Sequence, residues 1–369
     1  MSTALAPLPG RRRRATATIA SRLTMEGVSR VYGSHRAVDR VDLQVEPGQV
    51  VALLGHSGCG KTTLLRLAAG VEVPSEGRVL IDGREVASES AFVPPEQRHV
   101  GLMFQDYALF PHLSLLENVM FGLTALDRRG RREEALAALH RVGLGQLAGA
   151  YPHEASGGEQ QRTALARAVV PRPGILLMDE PFSGLDSRLR DSVREDTLAV
   201  LKETGATAVI VTHDPEEAMR MSDRIVLMRA GRIIQTGTAE ELYGRPESLF
   251  AARFFSSLNE FAGRVEDGMV ATPLGRFDAQ AVRHGEAAVV AIRPHGIQVR
   301  PAERGAGADG VPGRVVARRF LGEVSQLEVA VEGLDSYLTA RGRFGDDLPI
   351  GADVAVSVEA QHVMVFPED

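Results

Sequence analysis

Residues 50–70 read VVALLGHSGCGKTTLLRLAAG, and inside them Gly55 to Thr62, GHSGCGKT, matches G-x-x-x-x-G-K-[ST] at every fixed position. The context is the one the motif requires. An apolar run suited to a buried strand precedes it, and TTLLRLAAG, an apolar helix stopped by Gly70, follows. Glycines in such a loop let successive backbone N–H groups wrap around phosphates, and the helix N-terminus adds a favourable partial charge. The sequence therefore predicts a phosphate cradle formed by Gly55, His56, Ser57, Gly58, Cys59, Gly60, Lys61, Thr62 and Thr63, with His56 and Cys59 offering only their backbone N–H groups. Lys61 would neutralise the β- and γ-phosphates. Thr62 would coordinate Mg2+, an ion that keeps several waters and takes few protein oxygens.

Outward from the loop, LTMEGVSRVYG and VDLQVEPGQVVALLG read as strands, the second turning at Pro47-Gly48. Residues 77–101 hold short β-like pieces broken by Gly83 and Pro94-Pro95, and residues 114–150 turn helical. GILLMDE and TAVIVTHD are short apolar runs ending in acidic or polar residues, and each follows a helical segment. That alternation predicts an α/β fold on a mainly parallel sheet, whose functional groups gather at the carboxyl ends of strands. Gly55, Asp179, Glu180 and His213 all fall at such ends. Asp179 is placed to hold Mg2+ directly or through water, Glu180 to orient or deprotonate an attacking water, and His213 to contact the γ-phosphate.

ASGGEQQR, residues 155–162, admits two readings. Ser156 and Glu159 fit a capping box at the start of a helix. Two adjacent glycines at a helix mouth also suit close approach of a phosphate, so Ser156, Gly157 and Gly158 are candidates for nucleotide contact.

The rest of the chain sets bounds. Its 369 residues allow two or three domains, and 44% hydrophobic with 24% charged residues is ordinary for a soluble globular protein. A net charge of −6 gives no global signature of nucleic-acid binding. The single cysteine, Cys59, excludes an internal disulfide framework and any multi-cysteine metal site. No apolar stretch reaches the roughly eighteen residues a membrane-spanning helix needs. Residues 1–21, with RRRR at 11–14, are expected to be a disordered basic tail. After about residue 240 the style changes: ELYGRPESLFAARFFSSL reads as a helix or two, and AAVVAIRP, GRVVARRFLG, SQLEVAVEG, DVAVSVEA and HVMVF read as strands of a small barrel or sandwich. PAERGAGADGVPG, residues 301–313, is expected to be a flexible loop.

In order along the chain, the phosphate loop, Gln105 in LMFQDYALFPH, SGGEQQR, LLMDEPFSGLD and VTHDPEEA resemble the nucleotide-binding subunit of an ABC transporter. The resemblance covers residues 22–245 and implies a P-loop NTPase of ABC-cassette type, with a helical subdomain over about 105–170. It implies ATP and Mg2+ as ligands and a homodimer in which each ATP is sandwiched between two copies. Tyr32 in VYG would stack on adenine, Gln105 would sense Mg2+, Ser156 and Gly158 would reach the opposite γ-phosphate, and Asp186 would lie at the dimer seam. Lys61, Gln105, Glu180 and His213 would carry catalysis, and Thr62, Gln105 and Asp179 would serve the metal. Ala155, Glu159 and Gly184 depart from the family's common leucine, glutamine and alanine.

AIRPHGIQV and RRFLGEVSQLEV resemble the C-terminal regulatory domain of importer ATPases, so residues 246–259 are expected to be a linker helix and 260–369 an OB-like β-barrel. Within the importers, VPPEQRHVGLMFQDYALFPHLSLLENVMFGL looks most like ferric-iron ATPases; sugar, polyamine, sulfate, molybdate or thiamine importers are the alternatives. The implied partners are membrane permease subunits and, indirectly, an extracytoplasmic solute-binding protein, with the chain on the cytoplasmic face of the membrane. A non-transport ABC ATPase usually carries long coiled coils, zinc cysteines or two cassettes, and none is visible. A GTPase would want N-K-x-D, which is absent.

Overall fold

The computed structural model describes residues 19–302 and 310–368, and the chain divides into two compact units between residues 239 and 240. Within the first unit, β1 (Leu23–Tyr32) and β2 (His35–Val45) pair as an antiparallel hairpin, and β3 (Val50–Leu54) leads through the phosphate loop into α1 (Lys61–Ala69). β4 (Glu76–Ile81) and β5 (Arg84–Ala87) complete a four-stranded sheet in the order β2-β1-β4-β5. After β6 (Val100–Met103) come three helices, α2 (Leu115–Met120), α3 (Arg128–Arg141) and α4 (Gly157–Val169). The chain then alternates through β7 (Ile175–Asp179), α5 (Ser187–Thr204), β8 (Thr207–Thr212), α6 (Pro215–Met221), β9 (Arg224–Arg229) and β10 (Arg232–Gly237).

The second sheet runs β10-β9-β3-β8-β7-β6, parallel except for β10. Every residue of β7 and β8 is buried, which is why both read as unbroken apolar runs rather than alternating ones. One core fills the space between the two sheets around α1, and a second packs α4 and α5 against the far face of β7 and β8. The helical insertion has a small core of its own, with Leu116, Val119, Leu139 and Leu144.

Among the described residues of the second unit, which takes in α7 (Ala239–Gly244) from its second residue, α7 and α8 (Leu249–Phe255) precede ten strands. These are β11 (Asn259–Glu266), β12 (Met269–Thr272), β13 (Gly275–Asp278), β14 (Ala287–Ile292), β15 (Ile297–Pro301), β16 (Val311–Phe320), β17 (Ser325–Val331), β18 (Leu338–Gly342), β19 (Asp353–Val358) and β20 (Val363–Pro367). They form two five-stranded sheets, β13-β12-β11-β14-β20 and β15-β19-β16-β17-β18, curled as half-barrels around a shared core.

The structure departs from the sequence reading in four places. Ser21 was assigned to the tail, yet its N–H bonds Gly174 O and its carbonyl accepts from Thr207 Oγ1; residues 1–18 lie outside the described residues. The units part at 239 rather than 245, because Arg293 holds Tyr243 of α7, donating to its carbonyl with the guanidinium carbon 3.9 Å from its ring centroid. The chain is already in strand by Asn259, before the expected linker ends, and by Val311 within the expected loop. The loop's centre, 303–309, lies outside the described residues.

Candidate nucleotide site

The phosphate loop is shaped by what its glycines touch. Gly55 has φ +156°, and a Cβ there would stand 2.4 Å from Met228 O; at Gly60, with φ +104°, it would stand 2.2 Å from Ala37 O. No side chain fits either place, so the loop closes against β9 and the hairpin by virtue of these two residues. Lys61 is buried, its ammonium donating to Gly55 O at 2.6 Å and His56 O at 3.0 Å. It is folded onto the loop that it would leave to meet a phosphate. Ser57, Gly58 and buried Cys59 complete the turn, and Thr62 and Thr63 open α1.

Asp179 ends β7 and is buried; its Oδ1 accepts from Thr62 Oγ1 at 2.9 Å. Burial, ahead of the neighbouring charge of Glu180, pushes its carboxyl above the ordinary aspartate value. A desolvated carboxylate beside a hydroxyl is a hard-oxygen pair short of a counter-ion, which fits Mg2+.

Glu180 follows with φ +43°, a left-handed backbone that few non-glycine residues adopt. The turn is held by Glu180 N–H to Val211 O at 3.0 Å and by Ser183 Oγ to Glu180 O at 2.9 Å. It swings the carboxylate out of the strand so that Oε2 lies 3.3 Å from His213 Nδ1 and 3.5 Å from Gln105 Nε2. Gln105, Glu180 and His213, distant in sequence, thus meet at one point, and Thr62 and Asp179 meet beside it.

The ASGGEQQR stretch forms the capping box in full. Glu159 N–H donates to Ser156 Oγ at 3.4 Å, while Glu159 Oε2 accepts from Ser156 N–H at 2.7 Å and Oγ–H at 2.8 Å. Those bonds, led by the backbone one, hold the Glu159 carboxyl below its ordinary value. Gly158 packs on α5, where a Cβ would come within 2.6 Å of Leu189 Cδ2. Gly157 is exposed and borders an open cleft with Thr62, Gln105 and Asp179. Asp186 caps α5, accepting Leu189 N–H at 3.1 Å. Tyr32 stands apart from these groups at the end of β1; its hydroxyl donates to Glu72, and the Arg30 guanidinium lies 4.7 Å from its ring centroid.

Comparison with known proteins fixes the family. The ABC transporter profile matches residues 38–183 and the TOBE domain profile residues 290–366. The Fe(3+) ions import ATP-binding protein FbpC of Agrobacterium fabrum is 43% identical over 319 residues, covering 84% of this chain and 88% of that protein. The chain belongs to the ABC transporter family. The spermidine/putrescine import ATP-binding protein PotA of Methylococcus capsulatus is 40% identical over 370 residues, covering 95% of this chain and 93% of its own. A solved dimeric ATP-binding cassette in a post-hydrolysis state, bound to ADP and Pi, is 31% identical, with a TM-score of 0.53 over 59% of this chain and 98% of that one. The chain is therefore an ABC importer ATPase, an enzyme that binds and hydrolyses ATP.

Three arginines of this ABC ATPase, buried Arg98 and Arg194 and half-buried Arg167, escaped the sequence reading. Arg98 donates to Leu67 O, Ala68 O, Val86 O and Val93 O, closing the end of α1. Arg167 on α4 donates to Tyr107 O and Ala108 O at 2.8 and 2.7 Å, and both residues have positive φ in the loop that follows Gln105. Arg194 on α5 sits beneath the His213 loop. The signal available was a charge on a helix's apolar stripe; Arg194, beside Val193 and Thr197, is an instance.

Proposed function

We propose that this importer ATPase works as a homodimer on separate membrane permease subunits at the cytoplasmic face of the membrane, and that it powers uptake of ferric iron. The observation that carries the ATPase half is the convergence of Gln105, Glu180 and His213 beside the Thr62–Asp179 pair. With Mg·ATP in the cradle, Thr62 and Asp179 would hold the ion and Gln105 would attend it, and Mg2+ would neutralise charge developing on the transferred phosphate. Lys61 would exchange its loop carbonyls for the β- and γ-phosphates. Glu180 would take the proton from the attacking water, with His213 keeping carboxylate and water in register. Tyr32 would stack on adenine.

One phosphate already has a helix mouth, that of α1, so the second mouth at Ser156–Gly158 would serve a nucleotide held by another copy. The dimeric ADP- and Pi-bound cassette supports this reading, and Asp186 would then line the seam. Ferric iron as cargo is supported by likeness to the FbpC protein and by the residues around Gln105, and a solute-binding protein would deliver it outside the membrane. The test is transport. The complex reconstituted in vesicles with its permease and binding protein should take up radiolabelled ferric iron only with internal ATP; uptake of spermidine or sulfate and not iron would overturn the cargo assignment.

A further inference from the structure

Arg194 is almost sealed from solvent, its side chain 8% exposed. Its NH2 lies 3.3 Å from Asp214 Oδ2 and 3.4 Å from Glu217 Oε2, and its NH1 lies 3.3 Å from Asp191 Oδ1. Its guanidinium carbon is 5.9 Å from the ring centroid of Phe182, a fully buried residue two places beyond Glu180. One guanidinium therefore touches three pieces of chain: the turn carrying Glu180, the turn carrying His213, and α5, which begins at Asp186. Asp214 is itself spent on its own turn, accepting the N–H groups of Glu216 and Glu217 at 2.8 and 3.3 Å. Glu180, Phe182, His213, Asp214 and Glu217 line a single cleft, and Arg194 meets three of them, Phe182, Asp214 and Glu217.

Asp191, Asp214 and Glu217 surround Arg194, and Arg220 pairs with Asp191 and Glu216 at the rim. Glu217 Oε1 has no partner among the described residues, and burial pushes the carboxyl up to about 7. Buried ion pairs of this kind are weak sources of folding energy but strong constraints on geometry when one member is removed.

We propose that Arg194 is a positioning residue of the ATPase, pinning the Glu180 and His213 turns to each other and to the helix that follows Asp186. This rests on the assignment of Glu180 and His213 to hydrolysis. Without the guanidinium, Asp214 and Glu217 lose the partner they share, and the His213 turn would move away from Glu180. Misplacing a reacting constellation by about 1 Å costs roughly 10²-fold in rate.

The experiment is steady-state hydrolysis of Mg·ATP by the full chain, with thermal unfolding measured in parallel. Arg194→Met should lower kcat roughly 10²-fold while KM for ATP moves by less than about threefold. Arg194→Met with Glu217→Gln removes the orphaned buried carboxyl, so it should recover the unfolding midpoint without recovering kcat. Arg194→Met placed on His213→Ala should cost less than about twofold beyond His213→Ala alone, because both act through one group. If the Arg194→Met/Glu217→Gln protein turns over at the wild-type rate, Arg194 only stabilises the fold; if the two losses multiply, it does not act through the His213 turn and the proposal fails. Glu180→Gln is the control: wild-type turnover there would mean the Glu180 assignment itself is wrong, whatever Arg194 does.

Discussion

Glu159 joins two demands that usually fall on different residues. Its carboxylate completes the capping box of α4, yet it sits at the exposed helix mouth where the opposite nucleotide's phosphate is proposed to arrive. A cap of this type contributes about 0.5–2 kcal/mol, and the same negative charge repels a polyphosphate. Glu159→Gln keeps the shape and removes the charge. It should strengthen ATP-dependent dimerisation severalfold by analytical ultracentrifugation, at the expense of a small fall in the unfolding midpoint; unchanged dimerisation would leave Glu159 as a cap alone. The sequence showed both possibilities at this position because Ser156, Gly157, Gly158 and Glu159 are adjacent. It showed nothing of Glu180's left-handed backbone, which depends on Val211 and Ser183 holding the turn.

Among elements, the phosphate loop and its helix were legible because the motif and its flanks lie in one continuous stretch. The strand ends were legible for the same reason: β7 and β8 are buried on both faces, so their apolar runs stop where the chemistry starts. What closes α1 was not. Arg98 arrives from a turn about thirty residues away and satisfies carbonyls that a helix end leaves unpaired. It also fills the space beside Gly70, where a Cβ would clash with its guanidinium at 2.5 Å. Arg98→Met should lower unfolding free energy by about 2–4 kcal/mol, since buried carbonyls lose their donors. Urea unfolding of the full chain checks this, and a change below about 0.5 kcal/mol, the size expected of ordinary surface substitutions, would mean those carbonyls find other partners.

For the whole molecule, the break at 239/240 separates two compact units, each with core clusters of its own. The second unit was legible as β-rich, but β11, β12, β13, β15 and β18 were missed, four of them only four or five residues long. The residues proposed to bind nucleotide all lie in the first unit, so nucleotide should raise the unfolding temperature of one calorimetric transition and leave a second unmoved. At a nucleotide concentration of a hundred times Kd the shift corresponds to about 2.7 kcal/mol. A single transition that moves as a whole would show that the units unfold together.

The central claim, an ATPase completed by a second copy with Glu180 as its base, is tested most directly on one variant. The mass of Glu180→Gln should be followed by analytical ultracentrifugation with Mg·ATP while phosphate release is measured in the same sample. The variant should bind ATP, gather into a stable dimer and release phosphate at least about 10²-fold more slowly than wild type. Phosphate release at the wild-type rate from a protein that stays monomeric would contradict the account.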